Sequence, residues 1–281
     1  MLVKKNLLGI GITSATQREI LEYIVKNLEK QQKSYYITTP NPEILVYANS
    51  HSSFKSTLNN SQLALCDGVG LFWAGKVLGK PLKARVTGVD LMENLCKEVA
   101  EKPITVGFLG AGPGIAEKTA ECLGKKYPGL KIGFVGGEWN QNSKLQNSRH
   151  NNVKRLASSK LASSFGTNYT LDANKLDAPP SVIDILFVAF GFPKQEEWME
   201  KNLANLPVKI AIGVGGAFDY ISGNVPRAPI IIQKMGFEWL FRLIIQPWRF
   251  KRQLSLFKFI YLLLKERVNT LHFNTNRHAG A

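Results

Sequence analysis

Cysteine is scarce: Cys66, Cys96 and Cys122 are the only three in 281 residues, and no CxxC pair or Cys/His cluster occurs. That excludes a disulfide framework and a zinc site of ordinary spacing, and it favours a reducing compartment. Long apolar runs are missing too. A membrane-crossing helix needs roughly 20 mostly apolar residues, whereas the longest candidate, Leu254–Leu264, is short and contains Lys258. The apolar run Asn6–Ile12 behind two lysines is too short for a secretory leader and is followed by no cleavage site of small residues. The four histidines are dispersed, and the chain has no Asp-x-Asp pair, no GxxxxGK[ST] loop and no GxSxG elbow. Those absences disfavour metal-dependent nucleotide transfer, P-loop chemistry and serine hydrolysis.

What is present is an ordinary globular composition with an uneven charge. The apolar share is 44%, the charged share 20%, and the formal net charge +15. That apolar share is enough to fill a sizeable core and argues against disorder along most of the chain. From Val225 to Ala281 there are ten cations against only Glu238 and Glu266, so about half of the excess charge sits in the last fifth of the chain. Nucleic acid and anionic lipid are equally compatible with such charge alone.

The first two-thirds alternates strand and helix patterns. Leu7–Ile12, Tyr35–Thr39, Leu63–Cys66, Ile104–Leu109, Lys131–Val135, Ile183–Phe190 and Ile210–Val214 read as strands. Ser14 and Gln17 resemble a capping box for a helix reaching Lys30, and Glu43–Ala48, Thr87–Ala100, Ile115–Lys126 and Lys194–Asn202 read as further helices. This order predicts an α/β fold, a Rossmann-like and mainly parallel sheet covered by helices over residues 1–224. An irregular insertion is expected over about 140–180. Residues 225–281 read as a basic, amphipathic C-terminal appendage, with one helix over Pro229–Ile245 and another over Arg249–Val268.

Ligands of such sheets sit beyond the carboxyl ends of the strands, which singles out particular residues. Asp67 follows a short apolar strand and precedes Gly68; it can act as a general base or cap the helix Val69–Val77, and spacing alone favours the cap. Arg85 can hold an anion or pair with Asp90. Gly110-Ala111-Gly112-Pro113-Gly114 opens a helix as phosphate-binding loops do, yet it is not a full dinucleotide fingerprint, and Gly136-Gly137 stands where a ribose-binding acid would be. Gln195 and Asp219 can hydrogen-bond a sugar, and the glycines around Gly216 allow a ligand close approach. In the tail, Phe250, Leu254, Phe257, Tyr261 and Leu264 recur at helical spacing among lysines and arginines. Such a helix lies in a lipid headgroup layer or docks on the protein's own core, and its surplus of apolar residues favours the membrane. A glycosyl-transferring enzyme, a nucleotide-dependent oxidoreductase and a non-catalytic basic adaptor all remain open on these residues.

Seven segments occur in one order: Thr39-Pro40-Asn41-Pro42-Glu43, Asp67-Gly68-Val69-Gly70, Arg85-Val86-Thr87-Gly88-Val89-Asp90, Gly107-Phe108-Leu109-Gly110, Gly191-Phe192-Pro193-Lys194-Gln195-Glu196, Gly215-Gly216-Ala217-Phe218-Asp219 and Pro226-Arg227-Ala228-Pro229. Together they resemble the WecG/TagA/CpsF glycosyltransferase family, from about Ile10 to Arg252. The resemblance implies an inverting, metal-independent transfer of N-acetylmannosamine or a related sugar. The donor would be a UDP-sugar and the acceptor a polyprenyl-diphosphate-linked N-acetylglucosamine, in cell-surface polysaccharide synthesis of the teichoic acid type. It implies Asp67 as base, Thr39, Asn41, Arg85 and Gln195 lining the pocket, and Arg242, Arg249 and Arg252 contributed by the appendage. No cofactor, metal or nucleic acid is expected. The implied setting is cytoplasmic and peripheral, with the appendage on the anionic inner face of the cell membrane, and a homo-oligomer is left open. Two departures stand out: the insertion exceeds the family's usual linker, and Cys66 replaces a small residue.

Overall fold

The computed structural model describes residues 2–30, 33–137 and 182–278. The insertion expected over about 140–180 lies outside the described residues. Six parallel strands form the central sheet, in the order β4–β3–β8–β7–β5–β6. They are β3 (Tyr35–Thr38), β4 (Leu63–Ala64), β5 (Thr105–Gly110), β6 (Lys131–Gly136), β7 (Ile183–Ala189) and β8 (Val208–Gly213). Every residue of β7 is buried, which explains its apolar sequence from Ile185 to Ala189: a central parallel strand is covered on both faces, and Asp184 near its start is paired with Lys209 and the Thr105 amide. Phe108 stacks on Phe187 and meets Phe218 edge-on, with ring centroids 5.7 and 5.9 Å apart, on the face covered by α1 (Gln17–Lys30), α5 (Gly88–Val99) and α6 (Ile115–Lys126). Met199 and Leu203, from α7 (Lys194–Asn202) and the turn after it, cover the opposite face of β7 and β8.

Three local readings change. The single strand Leu7–Ile12 is an antiparallel hairpin, β1 (Lys4–Leu7) and β2 (Ile10–Thr13), because Leu8 and Gly9 both take positive φ and reverse the chain. The capping box of α1 is Thr16 and Glu19, not Ser14 and Gln17. The Thr16 amide donates to Glu19 Oε2 at 2.7 Å, whereas Ser14 Oγ accepts from the Lys83 amide and Gln17 reaches the Asp90 carbonyl. Between β3 and β4 two helices follow one another, α2 (Pro42–Ser50) and α3 (Ser52–Asn60), the second unforeseen.

Beyond Pro226 the described residues form helices alone. After the short α8 (Ala217–Ile221), the expected single helix over Pro229–Ile245 is two, α9 (Ile230–Met235) and α10 (Glu238–Ile245). Gly236 at φ 81° ends the first in the left-handed conformation, where its missing Cβ leaves room for Val69. A 3₁₀ turn at Pro247–Arg249 leads into α11 (Phe250–Gln253) and α12 (Ser255–His278). The start of α12 lies along α2 and the first helix of the ligand edge, α4 (Val69–Val77). Phe259 and Leu263 enter the core cluster there. Glu266 pins the same helix to the hairpin, accepting from the Leu8 amide at 2.8 Å and pairing with Lys80 at 3.0 Å. Among the described residues, no helix is long and apolar enough to cross a membrane.

Candidate active site

Asp67 lies one loop beyond the end of β4. Its backbone amide donates to the Pro40 carbonyl at 3.0 Å, which ties this loop to the one after β3. The cap of α4 is Gly68, with no side-chain cap bond, so the Asp67 carboxylate is not spent on the helix end. It is partly buried, and the Gly88 backbone amide lies near enough to favour its charged form. Burial pushes its pKa up to about 7, with help from the nearby Glu238 charge and, less, Asp90; Arg85 pulls it the other way. A carboxyl poised near neutrality is what a general base for a sugar hydroxyl needs. Gly88 can deliver its amide because it has no side chain: a Cβ there would meet the Val214 carbonyl oxygen at 3.0 Å. The start of α5 thus wedges between the β4 and β8 loops and joins them around Asp67.

Thr39 and Asn41 stand beside this point, and both are used structurally. Thr39 Oγ1 donates to the Gly213 carbonyl at 2.9 Å and so holds the ends of β3 and β8 together. Asn41 is the N-cap of α2, its Oδ1 accepting from the Ile44 amide at 3.0 Å. Gln195 is the clearest departure from the sequence reading. It is 2% exposed and turned inward: Oε1 accepts from the Gly215 amide at 2.9 Å and Nε2 donates to Glu196 Oε1 at 2.7 Å. It shapes the loop after β8 from below and does not reach into the cleft. Its partner Glu196 is fully buried, Oε2 has no hydrogen-bond partner, and burial pushes its pKa up to about 7.

Among the described residues Asp90 pairs with Arg227, and Arg85 forms no ion pair with it. The Arg85 guanidinium sits close enough to Asp67 to lower that pKa, and it donates to the Gln233 carbonyl of α9 at 3.0 Å. The appendage is therefore bolted to the site. Arg242 packs its guanidinium over Gly216 and the Tyr220 ring, 3.9 Å from Asp219 Oδ2. Arg249 approaches from the next turn and hydrogen-bonds Gln246, to which Arg242 also donates. Arg252 forms a bidentate pair with Glu43 at 2.8 and 2.7 Å and lies 5.7 Å from the Phe192 ring centroid. Arg249 has no carboxylate partner among the described residues. Burial and the charges of Arg242 and Arg252 push its pKa down, against a smaller opposing pull from Tyr220 and Asp219.

Two expected residues stand apart from this group. Gly110 ends β5 and Gly136 ends β6, four and five strands from β4. At about 4.8 Å per strand they are roughly 19 and 24 Å across the sheet from the β4 edge. The residues not singled out by the sequence reading are Glu43, Gly88, Arg227 and Glu238. The first three lay inside motifs already recognised but carried no assigned role. Glu238 lay in none, and its one signal was being a rare acid in a basic tail.

The chain matches the Glycosyl transferase WecG/TagA/CpsF family over residues 5–166 and 179–272. Similar curated proteins include one from Bacillus spizizenii, 32% identical over 236 residues that cover 84% of this chain and 80% of the relative. Relatives from Bacillus subtilis and Staphylococcus aureus are 29% and 28% identical, each over 265 residues covering 94% of this chain and 93% of theirs. All three are named N-acetylglucosaminyldiphosphoundecaprenol N-acetyl-beta-D-mannosaminyltransferase. Together with the ordered motifs, these matches carry the conclusion: the chain belongs to the WecG/TagA/CpsF family of glycosyltransferases.

Proposed function

We propose that this enzyme transfers N-acetylmannosamine from a UDP donor to undecaprenyl-diphosphate-linked N-acetylglucosamine, with inversion and without a metal ion. The observation that carries the reading is the pairing of one near-neutral carboxylate, Asp67, with a crowded set of guanidiniums delivered by the C-terminal helices. Asp67 takes the proton of the acceptor hydroxyl as the oxygen attacks the anomeric carbon opposite the leaving diphosphate. Negative charge then grows on the diphosphate, and Arg249, flanked by Arg242 and Arg252, receives it. The planar fork of arginine fits phosphate oxygens in a way an ammonium does not. Thr39, Asn41, Gly216 and Asp219 line the donor side of this space, and Gln195 holds the Gly215 loop from below, while Gly110 and Gly136 lie too far across the sheet to share it.

The membrane completes the proposal, because the acceptor is a lipid. The apolar residues of α12 divide between two faces. Phe259 and Leu263 dock on the protein, while Phe257, Tyr261 and Leu264 face outward beside Lys258 and Lys265. Trp248, 73% exposed, and Ile244, 70% exposed, extend the same apolar, cationic surface. A peripheral position on the anionic inner leaflet follows.

The test is release of UDP from UDP-N-acetylmannosamine in the presence of a short-chain prenyl-diphosphate N-acetylglucosamine. Turnover that depends on that acceptor and survives chelation supports the reading; turnover restored only by added divalent metal contradicts its metal-free mechanism.

A further inference from the structure

The contacts between the C-terminal helices and the sheet domain fall into groups, and one of them surrounds the reacting carboxylate without touching any residue assigned to substrate. Arg227, half-buried, donates through one guanidinium nitrogen to Asp90 Oδ1 at 2.7 Å and through Nε to Glu238 Oε1 at 3.0 Å. Asp90 is fixed from the other side by Thr87, whose Oγ1 donates to Asp90 Oδ2 at 2.7 Å and accepts from the Asp90 amide at 3.2 Å. Asp90 belongs to α5, two residues beyond Gly88, whose backbone amide faces Asp67. Glu238 opens α10, whose next turn carries Arg242. A single arginine thus joins the helix that holds the base to the helix that carries the first of the phosphate-facing cations.

We propose that Glu238 is a positioning residue of the transfer reaction: clamped by Arg227 to Asp90, it seats α10 and the following arginines over Asp67 and supplies the acidic side of that carboxylate's surroundings. The inference rests on Asp67 being the base. Glu238 has a reason to be acidic in a segment that is otherwise strongly cationic. Without it, Arg227 would hold Asp90 alone, and α10 would lose its ionic tie to α5. The charged and titratable groups around Asp67 come from three places: Arg85 and Asp90 from the segment opening α5, Glu238 from α10, and the neighbouring Cys66 thiol. Around Glu238 they are Arg227, Tyr220 and Asp67 itself. Two carboxylates face the base and one guanidinium opposes them. Glu238 is the acid that arrives only when the appendage is docked.

The experiment compares turnover against pH for the full-length parent, Glu238→Gln and Arg227→Met, each with lipid-linked acceptor and UDP-N-acetylmannosamine, after circular dichroism has matched their folds. Both variants loosen the clasp, so kcat should fall about tenfold or more in each. Only Glu238→Gln removes a negative charge facing Asp67, so only it should move the acidic limb of kcat to lower pH, by half a unit or more. Asp90→Asn should move the limb in the same direction and replaces Glu238→Gln if that variant does not fold. A limb present in the parent and unmoved in Glu238→Gln, or undiminished kcat in both clasp variants, overturns the clasp alone. No limb between pH 6 and 8 in the parent overturns the reading of Asp67 on which it rests.

Discussion

At the residue scale the site is built from carboxyls held out of water at a cost to stability. Glu196 is the simplest case, since it is fully buried and one oxygen is unpartnered. Its pKa rises from 4.5 to about 7, so the fold prefers it protonated while the unfolded chain ionises it near its ordinary value. The stability this contributes is complete below pH 4.5, declines as pH rises to 7, and changes no further above that. Glu196→Gln keeps the acceptor for Gln195 and removes the ionisation. Its stability advantage over the parent should therefore grow between pH 5 and 7 by about 2–3 kcal/mol and then level off. Urea titrations at pH 5, 6, 7 and 8 measure it; an advantage that does not change with pH contradicts it. Asp67 obeys the same sign, so Asp67→Asn should lose turnover while its melting temperature at pH 8 stays level or rises. Among the cations, Arg249 is crowded by Arg242 and Arg252 and forms no ion pair among the described residues. Arg249→Met should cost about 3 kcal/mol of transition-state stabilisation, seen as a fall of roughly two powers of ten in kcat. A change below threefold would remove Arg249 from the diphosphate.

At the element scale, legibility followed burial. β7 and α7 were readable because one is wholly buried and apolar but for Asp184 and the other has a cap-to-cap pattern bounded by Pro193 and Leu203. The first strand was misread because Leu8 adopts a left-handed φ that nothing in a leucine announces, so a hairpin looked like one continuous run. Helix α3 was missed because its sequence, SSFKSTLNN, is mostly polar and poor in strong helix formers. Phe54 and Leu58 bury one stripe against the hairpin and α2, and tertiary packing supplies what propensity lacks. The apparent continuity of Pro229–Ile245 hid the break at Gly236, which is set by the approach of Val69 across space. Gly236→Ala combines a positive φ with a Cβ 2.8 Å from Val69 Cβ. It should loosen α9 and α10 from the site and lower kcat, while near-ultraviolet circular dichroism of the sheet domain and the main melting transition change little. Full activity in that variant would show that the Gly236 packing does not hold the appendage in place.

On the scale of the whole molecule, the motifs were legible as an ordered set and illegible as a constellation. Asp67 and Arg85 were picked out by their place at the end of a strand and before a helix, and the structure brings them together. Gln195 was read as facing the cleft because it lies in the first turn of a helix at the ligand edge. What sequence position does not reveal is that the first turn of α7 rolls this side chain under the Gly215 loop. The clasp from Arg227 to Asp90 and Glu238 spans 148 residues of chain from α5 to α10, so no local pattern announces it. The surface it stabilises is apolar and cationic at once. Binding to vesicles rich in anionic lipid should fall steeply with salt and be largely lost on removing residues 246–281, or in a Trp248→Ser, Phe257→Ser double variant. Unchanged co-sedimentation of the truncated chain would contradict the proposed membrane face.

The central claim is that Asp67 is the proton acceptor and works because its surroundings hold it near neutrality. The most direct measurement is kcat against pH from 5.5 to 9 for the parent and Asp67→Asn under saturating donor and lipid-linked acceptor. The account predicts an acidic limb near pH 7 in the parent, and turnover lower by roughly 10²–10⁴ with that limb gone in Asp67→Asn. Turnover within a few-fold of the parent, or the same limb persisting in Asp67→Asn, would contradict it.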